Sequence, residues 1–211
     1  MVSVLAYRSW EIGLDHCSDI RVNILSGRVD DAISLLCTYF PSVLNPDPDT
    51  NPPAQTPETT ATFKYIPSAS VDPTHLLLNL NILGFIEVAR TVPLPYHHSG
   101  TRVSPSPPPL SSMPASKERA SDDKECNKQQ LILLQKARKL YKQAESLSRA
   151  DDRVLYLNEL SQVTALLAYT NPENSIMSTY LSQERREAVA DQIEGAILCK
   201  SAETMPNSKL Y

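Results

Sequence analysis

The first sustained apolar period in the chain runs from Asp19 to Phe40, in DIRVNILSGRVDDAISLLCTYF. Gly27 splits it into two helical patterns, as a glycine supplying positive φ at a helix end would. Beyond that break Val29, Ala32, Ile33, Leu36, Tyr39 and Phe40 recur at spacings of three and four, one apolar stripe. Pro41 closes the stripe, so the segment predicts a helical hairpin. The pair Asp72-Pro73 is an N-cap followed by proline at the first helical position, and it predicts a helix over THLLLNLNILGFIEVAR. That helix is apolar round most of its circumference, so it should lie centrally with cover on several sides. Gly84 in its middle costs roughly 1 kcal/mol against alanine, which predicts a close helix crossing there.

The C-terminal third repeats this grammar. Asp122 and Glu125 fit a capping box, and Leu133, Ala137, Leu140, Tyr141, Ala144 and Leu147 form one stripe behind it. In ADDRVLYLNELSQVTALLAY, Asp151 and Asp152 favour the positive end of a helix. Its apolar positions Val154, Leu157, Leu160, Val163, Thr164, Leu167 and Ala168 wrap more than one face. Asn171-Pro172 ends that helix at Tyr169, because the residue before proline is pushed out of the helical region. Ser182 then caps QERREAVADQIEGAILCK, whose stripe is Val189, Ile193, Ala196 and Ile197. No stretch alternates with the two-residue period of a strand. The expected fold is all-α, helical hairpins packed into a bundle.

Composition divides this bundle. Of the 17 prolines among 211 residues, 15 lie between Pro41 and Pro114. Residues 45–70 and 92–121 are proline-rich, lack any period and are expected to be disordered, since they cannot bury enough surface to offset chain entropy. The organisation read from this is an unassigned segment 1–18, helices within 19–91 around the first insertion, a linker 92–121, helices within 122–200 and a disordered tail 201–211. Within the linker, Ser104 and Ser106 suggest phosphorylation. The Pro105 and Pro108 spacing suggests a polyproline ligand. A linear-motif adaptor binding SH3 or WW domains is therefore a second reading of the chain.

Charge and chemistry narrow the function by exclusion. A net charge of −4 and a pI near 5.6 are the wrong footprint for nucleic acid. The second hairpin helix, with Asp30 and Asp31 at its start and no basic residue along it, does not suit DNA reading. Lys136, Arg138, Lys139 and Lys142 read as a solvated helix face. No apolar run reaches the ~20 residues of a membrane crossing, and MVSVLAYRSWEIGLDHC lacks the features of a signal peptide; a cytosolic or nuclear protein is expected. Cys17, Cys37, Cys126 and Cys199 form no close pair, so free thiols rather than a metal site are expected. The His97-His98 pair has no carboxylate or thiol nearby, and His75 reads as a partly exposed helix-start residue. With no nucleophile set beside a base, the chain is read as non-enzymatic, without cofactor, metal or small-molecule substrate.

The order of IRVNILSGRVDDAISLLCTYFPSVL, HLLLNLNILGFIEVAR, a low-complexity spacer, LLAYTNPENS and YLSQERREAVADQIEGAIL resembles the CTLH–CRA region of the Ran-binding protein M family, scaffold subunits of the GID/CTLH ubiquitin-ligase complex. The resemblance spans Asp19–Arg90 and Gln130–Leu198. It implies a protein-interaction scaffold that joins other CTLH/CRA-type subunits as a homo- or hetero-oligomer and has no ligase chemistry of its own. It also implies that the last helix folds back beside an N-terminal LisH dimerisation motif. The sequence departs from the family pattern in that only about 18 residues precede the hairpin, with neither a SPRY domain nor a readable LisH motif. The chain thus reads as a truncated gene model or a reduced paralogue. The residues expected to carry helix-on-helix contacts with partners are Leu36, Tyr39, Phe40, Leu157, Leu160, Leu167, Tyr169, Val189, Ile193 and Ile197, each fully buried Leu or Ile contributing ~1.5–3 kcal/mol.

Overall fold

The computed structural model describes residues 4–45, 70–92, 94 and 119–204. All regular structure among them is helical: α1 (Val4–Leu25), α2 (Val29–Tyr39), the one-turn α3 (Pro41–Leu44), α4 (Pro73–Ala89), α5 (Arg119–Glu145), α6 (Ala150–Val163) and α7 (Gln183–Thr204). Most of the two proline-rich segments, and the tail beyond residue 204, lie outside the described residues.

The hairpin forms where the period breaks. Gly27 adopts φ +76°, the Gly27 amide donates to Ile24 O at 3.1 Å and the Arg28 amide to Asn23 O at 2.9 Å. These paired bonds use two of the carbonyls that the end of α1 leaves free. Two boundaries differ from expectation. The first helix begins at Val4 rather than near Asp19, and α5 begins at Arg119, which places Asp122 inside the helix rather than at its cap. At α4 the expected cap is present: Asp72 Oδ1 accepts from the Thr74 amide at 2.8 Å, with Pro73 next.

Because α4 is apolar all round, it becomes the middle layer between two cores. Leu76, Leu80 and Leu83 join a cluster with Ile20, Ile24, Val29, Leu36, Val189, Ile193 and Ile197. Leu78, Ile82, Phe85 and Ile86 join a second with Leu133, Leu140, Tyr156, Leu160, Val163 and Leu166. The first core is therefore walled by α1, α2, α3 and α7, the second by α5, α6 and the turns that follow α6. Gly84 does face α2, but a Cβ there would meet Val29 Cβ and Cγ1 at 3.6 Å. That is ordinary contact, so alanine fits, and the crossing is not one that demands glycine.

The helix expected to reach Tyr169 changes earlier. After Val163 the backbone tightens into a 3-10 turn, Thr164–Ala168, with Tyr169 already extended at φ −112°, ψ 129°. Thr164 Oγ1 donates back to Leu160 O at 2.8 Å, a local bond that competes with regular helix. Two further 3-10 turns, Pro172–Asn174 and Ile176–Leu181, lead to α7. The last helix then returns to the first. Arg21 Nη1 lies 2.7 Å from Asp191 Oδ1 and 2.9 Å from Glu194 Oε2, and α7 lays its apolar stripe on Ile20 and Ile24.

Candidate interaction surface

Three polar assemblies hold the layers in register and so fix what remains outside. The first crosses α4. Tyr156 Oη donates to Asn79 Oδ1 at 3.0 Å, Asn79 Nδ2 donates to Gln192 Oε1 at 3.0 Å, and Gln192 Nε2 donates to Ser70 O at 2.8 Å. All three amide and phenol groups belong to buried residues, where a polar group without a partner is costly. The second sits at the end of α4. Half-buried Glu87 is held between Arg90 Nε at 3.0 Å and Arg186 Nε at 2.9 Å, and both guanidinium groups also donate to Leu181 O. The third is the Glu173 carboxylate, which accepts from the Thr91 amide, the Thr91 hydroxyl and the Val92 amide at 2.7–2.8 Å. Burial pushes the Glu173 pKa up, but these hydrogen bonds outweigh it and hold the group at about 2.

A fourth cluster has the composition of a nucleophile set. Ser70 Oγ lies 2.8 Å from His75 Nδ1, and His75 Nε2 lies 3.4 Å from Asp152 Oδ2. His75 is buried, not partly exposed as the sequence suggested. Ser70 Oγ also accepts from the Asp72 amide at 3.3 Å, and the His75 ring lies against Tyr156 with centroids 5.5 Å apart. The arrangement ties the start of α4 to the start of α6. Among the described residues no group of three or more His, Cys, Asp and Glu is placed to hold a metal ion, and no helix is long and apolar enough to cross a membrane.

The structure divides the ten residues expected to meet partners. Leu36, Leu160, Val189, Ile193 and Ile197 are all at most 4% exposed and lie within the two intramolecular cores. They offer no side-chain surface to a partner in this arrangement. The physical reason is α4: an element apolar on both sides absorbs the inward stripes of its neighbours on each. Phe40 and Leu157 are partly buried against the same cores. Tyr39, Leu167 and Tyr169 are exposed, although Tyr39 stacks on His16 with ring centroids 3.5 Å apart. Val154, one of the apolar positions of α6 that wrap more than one face, points outward, as does Leu155 beside it.

Sequence reasoning missed the largest exposed group on α5. Leu131, Ile132 and Leu134 are 56%, 40% and 57% exposed, while Leu133 between them is buried. The signal was present: LILL places four apolar residues in a row on a helix that has one covered face, so three of them must point elsewhere. Leu131 and Leu134, three apart, share one outward side of the helix. The 3-10 turn carrying Leu167, and Tyr169 after it, run beside α5, where Tyr141 Oη and Thr164 Oγ1 are 3.5 Å apart. Both α5 and the LLAY turn, which meet at this contact, carry exposed apolar side chains. Scattered surface leucines are ordinary, whereas Leu131 and Leu134 stand side by side on one helix edge and form a candidate contact site.

Comparison with known families supplies the remaining evidence. The family model described as "CTLH/CRA C-terminal to LisH motif domain" matches residues 14–211. No curated protein and no solved structure matches the chain. The match runs through both cores and all the helices that build them. The chain belongs to the CTLH/CRA family of protein-interaction domains.

Proposed function

We propose that the protein is a non-catalytic scaffold subunit of a CTLH-type multisubunit E3 ubiquitin ligase, of the Ran-binding protein M kind, acting in the cytosol or nucleus. The observation that supports this reading is the outward apolar edge of α5 at Leu131 and Leu134, with exposed Leu167 and Tyr169 in and after the neighbouring turn, all outside the two cores. Within a family of interaction domains, such an edge serves to bury itself against the helices of another subunit. The polar assemblies at Asn79, Glu87 and Glu173 hold the layers rigid, so the edge is presented without folding on binding, which lowers the cost of association.

The test is affinity capture of the tagged full chain from its native cell. The captured material is analysed by mass spectrometry and assayed for ubiquitin transfer. Recovery of other CTLH/CRA chains together with a RING-bearing chain and transfer activity supports the reading. Recovery without any such chain, in a preparation whose helix content is intact, contradicts it.

A further inference from the structure

Just past α4 the chain is fastened at two places. Glu173 accepts from the Thr91 amide, the Thr91 hydroxyl and the Val92 amide at 2.7–2.8 Å. Leu94 then lies over the turn between α1 and α2, its Cδ1 2.9 Å from where a Cβ on Gly27 would stand. The φ of +76° at Gly27 selects glycine, and the missing side chain leaves the space that Leu94 fills. Around this contact is an open cavity of about 350 Å³, lined by Ser26, Gly27, Glu87 and Arg90 together with Thr91, Val92 and Leu94. That volume is in the range of ligand sites. The far walls are fixed without Leu94: Ser26 Oγ donates to Val22 O at 2.7 Å, and Glu87 is held between Arg90 and Arg186.

We infer that this cavity is a docking site for an extended peptide carrying a leucine between two prolines, and that the chain's own Leu94 occupies it in cis, locked there by Glu173. The seated residue names the chemistry. Leu94 stands between Pro93 and Pro95 in the sequence. A residue before proline is confined to extended backbone, so a peptide of this kind loses little freedom on docking. Because Leu94 follows the end of α4 so closely, the cis segment acts at an effective concentration of about millimolar or more. A free peptide therefore meets a vacant site only in the fraction of molecules whose Leu94 is out, and its apparent affinity falls by that fraction. Releasing Thr91 and Val92 raises the fraction. The Glu173 clamp thus controls a site that Glu173 itself does not line. This site is at the hairpin turn, apart from the α5 edge, and does not depend on the subunit role.

The experiment is fluorescence anisotropy on the purified full chain, with a labelled peptide of residues 91–96, TVPLPY, as the probe. Leu94→Ser in the protein vacates the site, and the peptide is expected to bind that variant with a Kd of about 10–100 µM. The natural chain should bind it about tenfold or more weakly, and Glu173→Ala should strengthen that binding by about threefold or more. A peptide carrying Leu94→Ser should bind none of the three proteins. Gly27→Val added to the Leu94→Ser chain should abolish binding, with circular dichroism reporting helix content. If that variant unfolds, the serine peptide and the Glu173→Ala chain still decide the question. No binding to the Leu94→Ser chain at about 1 mM peptide, or equal binding of the leucine and serine peptides, overturns the docking site. Equal affinity of the natural and Glu173→Ala chains overturns the lock. Either failure leaves the capture of CTLH/CRA and RING-bearing subunits from cells as a separate result.

Discussion

Asn79, at the centre of α4, accepts a hydrogen bond from the Tyr156 hydroxyl at 3.0 Å, and this contact joins α6 to the middle layer inside an apolar surrounding. Asn79 passes the connection on to Gln192 of α7, so one side chain ties both outer layers to α4. Tyr156→Phe leaves Asn79 Oδ1 without that donor and is expected to cost about 1–2 kcal/mol of stability. Asn79→Ala removes the acceptor of the tyrosine hydroxyl and the donor to the glutamine carbonyl together, and should cost more than Tyr156→Phe, about 3 kcal/mol. Urea unfolding of the two variants tests the order. Equal, small losses would show that the network does not bind the layers.

Gly27, which ends α1, and Gly84, inside α4, should respond oppositely to an added methyl group. Gly27 sits at φ +76°, and an added Cβ would lie 2.9 Å from Leu94 Cδ1 and 3.0 Å from Glu87 Oε2. Gly27→Ala is expected to cost about 1–3 kcal/mol through backbone strain and displacement of the Glu87 carboxylate. Gly84 is helical with room for a methyl group, so Gly84→Ala should be neutral or stabilise by up to about 1 kcal/mol. Thermal unfolding followed at 222 nm separates the two; a Gly84→Ala loss larger than that of Gly27→Ala would contradict the packing described.

Glu87 holds Arg90 and Arg186 together in a largely buried cluster. Glu87→Gln removes the one carboxylate between two guanidinium groups and is expected to destabilise by about 3–5 kcal/mol. Replacing Arg186 with methionine leaves the Glu87–Arg90 pair intact and should cost less. Guanidinium denaturation midpoints give the comparison.

The acid limb of stability should carry a contribution from Glu173. Its pKa is held at about 2 in the folded chain against an ordinary value of 4.5, so the folded state binds the proton less readily than the unfolded one. The stabilisation is complete above the ordinary value and is lost as pH falls from about 4.5 to about 2. Because the clamp faces solvent, screening leaves it worth about 1 kcal/mol. Stability curves of the natural chain and Glu173→Gln should therefore lie apart at pH 7 and converge at low pH. Parallel curves throughout would contradict the assignment.

The helices that pack by a single period were legible in the sequence: the Gly27 break, the Asp72-Pro73 start and the α7 stripe all stand where the pattern placed them. What the pattern did not reveal was the destination of the apolar faces. A stripe such as Val189, Ile193 and Ile197 has the same period whether it meets its own chain or another, and only the two-sided burial of α4 shows that it is consumed internally. The outward leucines of α5 were hidden for a related reason. Leu133, Ala137 and Leu140 satisfy the helical period by themselves, and the neighbouring Leu131 and Leu134 add apolar character without adding a second period. The tightening at Thr164 depends on a side-chain bond to Leu160 O, which apolar spacing does not encode.

The scaffold reading turns on whether the α5 edge is covered in the cell. Size fractionation of native lysate, comparing the natural chain with a Leu131→Asp, Leu134→Asp, Tyr169→Ser variant of unchanged helix content, tests this most directly. The account predicts that the natural chain migrates well above its own 23.4 kDa and that the variant falls to the position of a free monomer. Identical migration of the two proteins would contradict it.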